Sequence, residues 1–243
     1  MKKTIVLPLA MLFFYAGSFA QGATSTKLDN FTGNGYAGAA FSEMRKKLNT
    51  PSDLETVGSV YIDERFVPCK VYYNDEVIGN FYYRHNAFND EVEIKDSQFG
   101  EEPESSLATI KELRLVDELD NKELALKAYK NKKDIVRNGY LYQLNEGEKY
   151  DLFFKNSVKF TEGTKPVNSM VRATPNKFSH FTEYYFMKDG DNLAYHIGHR
   201  KSEFLREFDK EKRDSLAAYI KEEKINLKKE EDLMKVFNYL NSI

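Results

Sequence analysis

Residues 182–198, "TEYYFMKDGDNLAYHIG", decide the fold class of this chain. Apolar and aromatic residues alternate on either side of Asp189–Gly190. An Asp-Gly pair between two alternating runs is a strong hairpin signal. With those two residues as the turn, Lys188 faces Asp191, and Tyr184, Phe186, Leu193, Tyr195 and Ile197 share one face, as a buried face requires. The same register sets Glu183 opposite His196 on the solvent face. It also sets His180 opposite His199, close enough to share an ion. His180 and His199 are therefore the candidate metal ligands. Zinc usually takes three or four protein ligands, and the sequence names no third.

The pattern continues upstream. "YLYQL" and "YDLFF" flank "NEGE" as a second hairpin, and "VPCKVYY" and "VIGNFYYRH" flank a third turn near Asn74–Glu76. "EVEIK" alternates with period two. Pro68 inside the strand "VPCKVYY" predicts an edge position there. "KELALKAYK" (122–130) suits a strand by its Leu124 and Leu126 and a helix by its residue types. From Ser202 the period changes. Leu233, Val236, Phe237 and Leu240 recur at helical spacing and make one apolar stripe. Strands followed by helices indicate an α+β fold. The expectation is an antiparallel β-meander of roughly eight to ten strands, a curled sheet or partial barrel, over residues 58–200, with two or three helices over 201–243 packed on it.

The N-terminus reads differently. Lys2 and Lys3 precede an apolar run from Ile5 to Tyr15, and Ser18 and Ala20 take the −3 and −1 positions of a cleavage site. Residues 1–20 have the three parts of a secretory signal peptide. The run is shorter than the about 20 residues that span a bilayer, and no later stretch is long enough, so no transmembrane segment is expected. Gln21, not Cys, follows the cut, so no lipid anchor is expected. Residues 21–57 read as a flexible leader with a short helix near Ala39–Leu48. The expected location is the periplasm, with the extracellular space as the alternative.

Several chemistries have no support. The formal net charge is −2, from 36 basic and 38 acidic residues, so no basic excess serves a nucleic-acid backbone. Cys69 is the single cysteine, so no intrachain disulfide forms. A Cys69–His85 dyad fails in both short-turn registers of the first hairpin. These set His85 opposite Phe66 or Glu64, roughly 10 Å or more along the strand from Cys69. "YYRHNAFNDEVEIKD" (82–96) reads instead as a strand face of Phe81, Tyr83 and His85, a corner at Asn86 and Asn89–Asp90, and a second strand. The G-x-S-x-G, P-loop, G-x-G-x-x-G and H-E-x-x-H motifs are missing. No catalytic residue and no cofactor is assigned.

"GSVYIDERFVPCKVYYND", "YYRHNAFNDEVEIKD" and "YIKEEKINLKKEEDLMKVFNYLNS" resemble an uncharacterised family of exported, periplasmic proteins of Bacteroidota. The resemblance covers most of the mature chain and rests on hairpin and helix patterns. It implies export and a single structural unit, and no activity. The charged helical C-terminus is unlike the β-rich sorting domain of that phylum's type IX cargo. The functional expectation is a non-catalytic envelope protein, a periplasmic binding or accessory subunit docking on an outer-membrane assembly, with a protein partner. A small-molecule or lipid carrier and a hydrolase with dispersed carboxylates are the alternatives.

Overall fold

The computed structural model describes residues 54–101, 103–166 and 172–243. The signal segment and the expected helix at Ala39–Leu48 lie outside the described residues. Within them the protein is α+β, mostly sheet, followed by three C-terminal helices.

The strands are β1 (Thr56–Val57), β2 (Val67–Tyr73), β3 (Glu76–Asn86), β4 (Glu91–Lys95), β5 (Ser105–Ser106), β6 (Leu113–Asp117), β7 (Glu123–Lys130), β8 (Val136–Asn145), β9 (Tyr150–Thr161), β10 (Asn176–Lys188) and β11 (Leu193–His196). The helices are α1 (Lys201–Leu205), α2 (Lys210–Glu222) and α3 (Glu230–Ser242). The sheet order is β1-β10-β9-β8-β7-β6-β2-β3-β4-β5, with β11 against both β10 and β7.

Three expectations need correction. There are eleven strands among the described residues, more than the expected eight to ten. The sheet is mixed: β1 runs parallel to β10, and β11 runs parallel to β7. It is not a barrel, so the partial-barrel expectation does not hold. The cause is unequal strand length. Short β6 covers β7 only at Glu123–Ala125, and the free stretch Ala128–Lys130 is taken by β11. Backbone groups left open on a sheet edge need partners, and the returning chain supplies them. Thirdly, β2 is an interior strand between β3 and β6, not an edge. Pro68 is tolerated because the β6 ladder begins only at Cys69. Its carbonyl still accepts from Glu118 N at 3.0 Å.

The segment 122–130 is a strand, and its Leu124 is fully buried. The β2–β3 hairpin follows the tighter register at its tip, Tyr73 opposite Glu76, with Asn74 at positive φ. The register then shifts between Val71 and Tyr72, and Cys69 comes to face Phe81.

The hairpin that opened the sequence reading forms, in a shifted register. Tyr185 pairs with His196 and Phe186 with Tyr195. The connection is Asp189–Asn192, four residues rather than two, with Gly190 at φ +78° and Asp191 N donating to Lys188 O at 3.0 Å. The displacement is two residues. An even slip keeps every side chain on its face, so the apolar pattern cannot distinguish the two registers. Phe186 and Ile197 remain buried as expected. So are Tyr185 and Ala194 on the opposite face.

The helices cover one side. Asp209 caps α2 by accepting from Lys212 N at 3.0 Å, which satisfies one of the unpaired N–H groups of a first turn. Leu233, Val236, Phe237 and Leu240 of α3 are fully buried, so the stripe is core. They meet Phe186, Phe204, Phe208, Leu216 and Ile220 in one cluster. Asn241 anchors α3 to the strand below: its Oδ1 accepts from Tyr150 N at 2.8 Å and its Nδ2 donates to Tyr150 O at 3.0 Å. Gly147 makes room for that side chain, since a Cβ there would lie 2.0 Å from Asn241 Nδ2.

Candidate functional site

The histidine of the opening corner, His85, is the centre of a buried polar chain. Period-two alternation places Phe81, Tyr83 and His85 on the inner face of β3. The curl of the sheet brings that face onto β8, and Val158 N of β9 donates to Ala87 O at 3.0 Å just past the strand end. His85 Nδ1 lies 3.1 Å from Tyr142 Oη, and its Nε2 lies 3.3 Å from Asp90 Oδ1. Lys155 Nζ donates to Asp90 Oδ2 at 2.6 Å. On the other side Tyr83 Oη donates to Asp117 Oδ2 at 2.8 Å, and Leu119 N donates to Asp117 Oδ1 at 2.7 Å. The Tyr83 hydroxyl is a close neighbour of the Tyr142 hydroxyl.

The protons can be placed. Burial would raise the Asp90 carboxyl, but the Lys155 charge and the hydrogen bonds from His85 and Lys155 offset it and hold the group at about 2. Asp90 is thus an acceptor. Burial keeps the His85 imidazole neutral by lowering its pKa, against the opposing pull of Asp90. Its single proton then sits on Nε2, facing Asp90, and Nδ1 accepts from the Tyr142 hydroxyl. Burial raises both phenols, with Asp117 adding to the rise at each. Tyr83 and Tyr142 therefore stay protonated, and each has spent its proton, on Asp117 and on His85.

This chain forms part of the wall of a cleft of about 440 Å³. The end of β6 contributes Asp117, and the β6–β7 connection contributes Leu119, Asp120 and Lys122. β9 and β10 contribute Phe154, Asn156, Thr182 and Tyr184, and the first residue of α3 contributes Glu230. The segment before β2 adds Asp63 and Arg65. Most of these charges are paired: Asp63 with Arg65 at 2.7 Å and Asp120 with Lys122 at 3.1 Å. Arg84, also on the cleft, is held by Glu93 and Glu104 and lies over the rings of Tyr61 and Phe66.

The other sequence candidates sit elsewhere. His180 is opposite Val158 of β9, and its Nε2 lies 2.8 Å from Ser59 O. The β10–β11 register leaves it no partner in β11, which ends at His196, so His180 does not face His199. The metal pairing fails with the two-residue slip. Among the described residues no group of three or more His, Cys, Asp or Glu is placed to hold a metal ion. Glu183 and His196, expected opposite one another, meet diagonally at 4.0 Å. Cys69 is fully buried, and burial pushes its thiol up to about 12. Both His85 nitrogens are committed to Tyr142 and Asp90, so the rejected Cys69–His85 dyad is not made.

Sequence reading missed Asp90–Lys155, Asp117 and Tyr142. One signal was present. Lys155 shares a strand face with Phe153 in the apolar run "YDLFFKNSVKF", and a lysine on a buried face needs an anion. Among the described residues, no helix is long and apolar enough to cross a membrane. In comparison with known proteins the chain matches no family model, no curated protein and no solved structure.

Proposed function

We propose that the protein is a non-catalytic binding protein of the cell envelope, a periplasmic accessory subunit that docks on an outer-membrane assembly. The observation that supports this is the saturation of the groups that chemistry would need. Both nitrogens of His85 and both oxygens of Asp117 are bonded within the protein, and Cys69 is shut away. A general base or nucleophile must be free to meet substrate. These side chains are struts for a shaped surface.

A contact face is available at the β2–β3 hairpin tip. The register shift there leaves Val77 and Ile78 at 56% and 53% exposure, beside Tyr73 at 46%. The test is capture from envelope extracts on immobilised mature protein. The expected result is one specific partner, lost in the double variant V77E/I78E. Equal capture by that variant and the wild type would overturn this reading. The second reading, a carrier of a polar small molecule, is favoured by the cleft. Native mass spectrometry of protein taken from its envelope would then show a bound small molecule. A lipid carrier has less support, because charged side chains line this cleft.

A further inference from the structure

We propose that the cleft binds an organic cation: an ammonium or guanidinium group on a short apolar stem. The first ground is a charge imbalance. Asp63, Asp120 and Arg84 are neutralised by neighbours, as described above. Asp117 and Glu230 also line the cleft, and neither has a lysine, arginine or histidine in ion-pair contact among the described residues. What they accept is neutral hydrogen bonds: Asp117 from Tyr83 and Leu119 N, Glu230 from Tyr184 at 3.4 Å. Two carboxylates therefore face the cleft uncompensated.

The second ground is hydrogen-bond polarity. Tyr83, Tyr142 and Tyr184 have each spent their one hydroxyl proton on another side chain, so towards the cleft their oxygens can only accept. Asn156 is 9% exposed and bonds only Thr182, through Oδ1. Asn156 lines the cleft, and its Nδ2 makes no side-chain hydrogen bond among the described residues. The wall thus offers several acceptors to a multivalent N–H donor.

The third ground is the aromatic surround. Tyr142 and Phe154 stack at 4.7 Å with their planes 9° apart, Lys122 Nζ lies 5.4 Å from the Phe154 ring centroid, and the Tyr184 ring stands on the same wall. Ring faces attract cations and also cover an apolar stem. The carboxylates Asp117 and Asp120 add to burial in raising Tyr83 and Tyr142, which marks a negative local field. A bare metal ion is the poorer match, because among the described residues no third metal-ligating carboxylate, thiolate or imidazole converges there.

The test is calorimetric titration of the mature chain at low salt with cadaverine and with acetyl-Gly-Lys-Gly-amide. The controls are the neutral isosteres 1,5-pentanediol and acetyl-Gly-norleucyl-Gly-amide. At least one cationic probe should saturate a single site and the neutral ones should not. Asp117→Asn should weaken that probe about tenfold or more, while Asp134→Asn, which like its partner Lys130 does not line the cleft, should leave it within about twofold. If Asp117→Asn fails to fold by circular dichroism, Glu230→Gln carries the test, with a loss of about threefold or more expected. Tighter binding of the peptide assigns the cation to a protein side chain, and tighter binding of the diamine assigns it to a free amine. Equal binding of the neutral isosteres overturns the proposal. So does no saturation by either cation, or unchanged affinity in both carboxylate variants. The hairpin-tip variant V77E/I78E leaves this titration unchanged, so the two proposals fail separately.

Discussion

The two ends of the core are built from different materials. Under the helices, Phe186, Phe204, Phe208 and Phe237 meet ring to ring with Leu216, Leu233 and Leu240. Among the described buried residues of that cluster the one hydroxyl, on Tyr150, accepts from Lys212 Nζ at 3.1 Å. Behind the cleft, the same sheet buries His85, Tyr83, Tyr142, Asp117 and Lys155. The first arrangement is stabilised by apolar area removed from water, at roughly 25 cal/mol per Å². The second gains little net stability, because each buried polar group must first lose its water. It gains definition: bonded side chains hold one geometry. The helical end gives the fold its stability, and the polar end gives the cleft its shape.

That contrast can be broken in order of expected effect. Phe237→Ala removes a ring at the centre of the helical cluster and should cost about 3–5 kcal/mol in denaturant unfolding. A loss under about 1 kcal/mol would mean that the helices are dispensable to the core. Lys155→Met strands the Asp90 carboxylate and should cost about 2–4 kcal/mol. Adding Asp90→Asn should restore part of that, and a strictly additive double variant would show that the two groups are not coupled.

Acid sharpens the comparison. Asp90 sits at about 2 in the folded protein against an ordinary 3.8. Its folded pKa is depressed, so its contribution is present above the ordinary value and lost as pH falls through about 4 to 2. The loss should be about 2 kcal/mol and should vanish in Asp90→Asn. Asp209→Ala removes the α2 cap and should cost about 1 kcal/mol with no new pH dependence.

The smallest effect concerns the histidines. Burial lowers the pKa of His85, and also of His196, in the folded state. The unfolded chain therefore binds more protons below about pH 6.5, and stability should decline from neutral pH towards pH 5. His85→Gln should flatten part of that slope and His196→Gln the remainder. An unchanged slope in both variants would show that neither imidazole is buried neutral.

Much of this was legible in the sequence, for a physical reason. Period two and period 3.6 are properties of local backbone, so the hairpins, the corner at Asn86–Asp90 and the α3 stripe all appear where their residues predict. Register was less legible. The slip at Asp189–Asn192 keeps parity, and only loop geometry, not apolar pattern, separates the two alignments. The shift near Ile78 gives the reverse case, an odd displacement, and it leaves Val77 and Ile78 both outward. The site was least legible of all. Asp90, Asp117, Tyr142 and Lys155 come from separate turns and strands, and nothing in their spacing along the chain places them in one hydrogen-bonded chain with His85 and Tyr83. Only Lys155, a charge in an apolar run, pointed inward from the sequence.

β11 carries a consequence for the order of assembly. Its four residues join β10, its neighbour in the chain, to β7, which lies more than sixty residues earlier. Contacts so distant in sequence are slow to form, because loop entropy is lost before they return anything. A nascent chain that ends before His196 lacks the strand that covers Ala128–Lys130, and it lacks the three helices as well. Such a chain would carry the apolar faces of β9 and β10 bare, at Leu152 and Phe186 above all. Folding should therefore be a late, concerted event, triggered when the last fifty residues arrive.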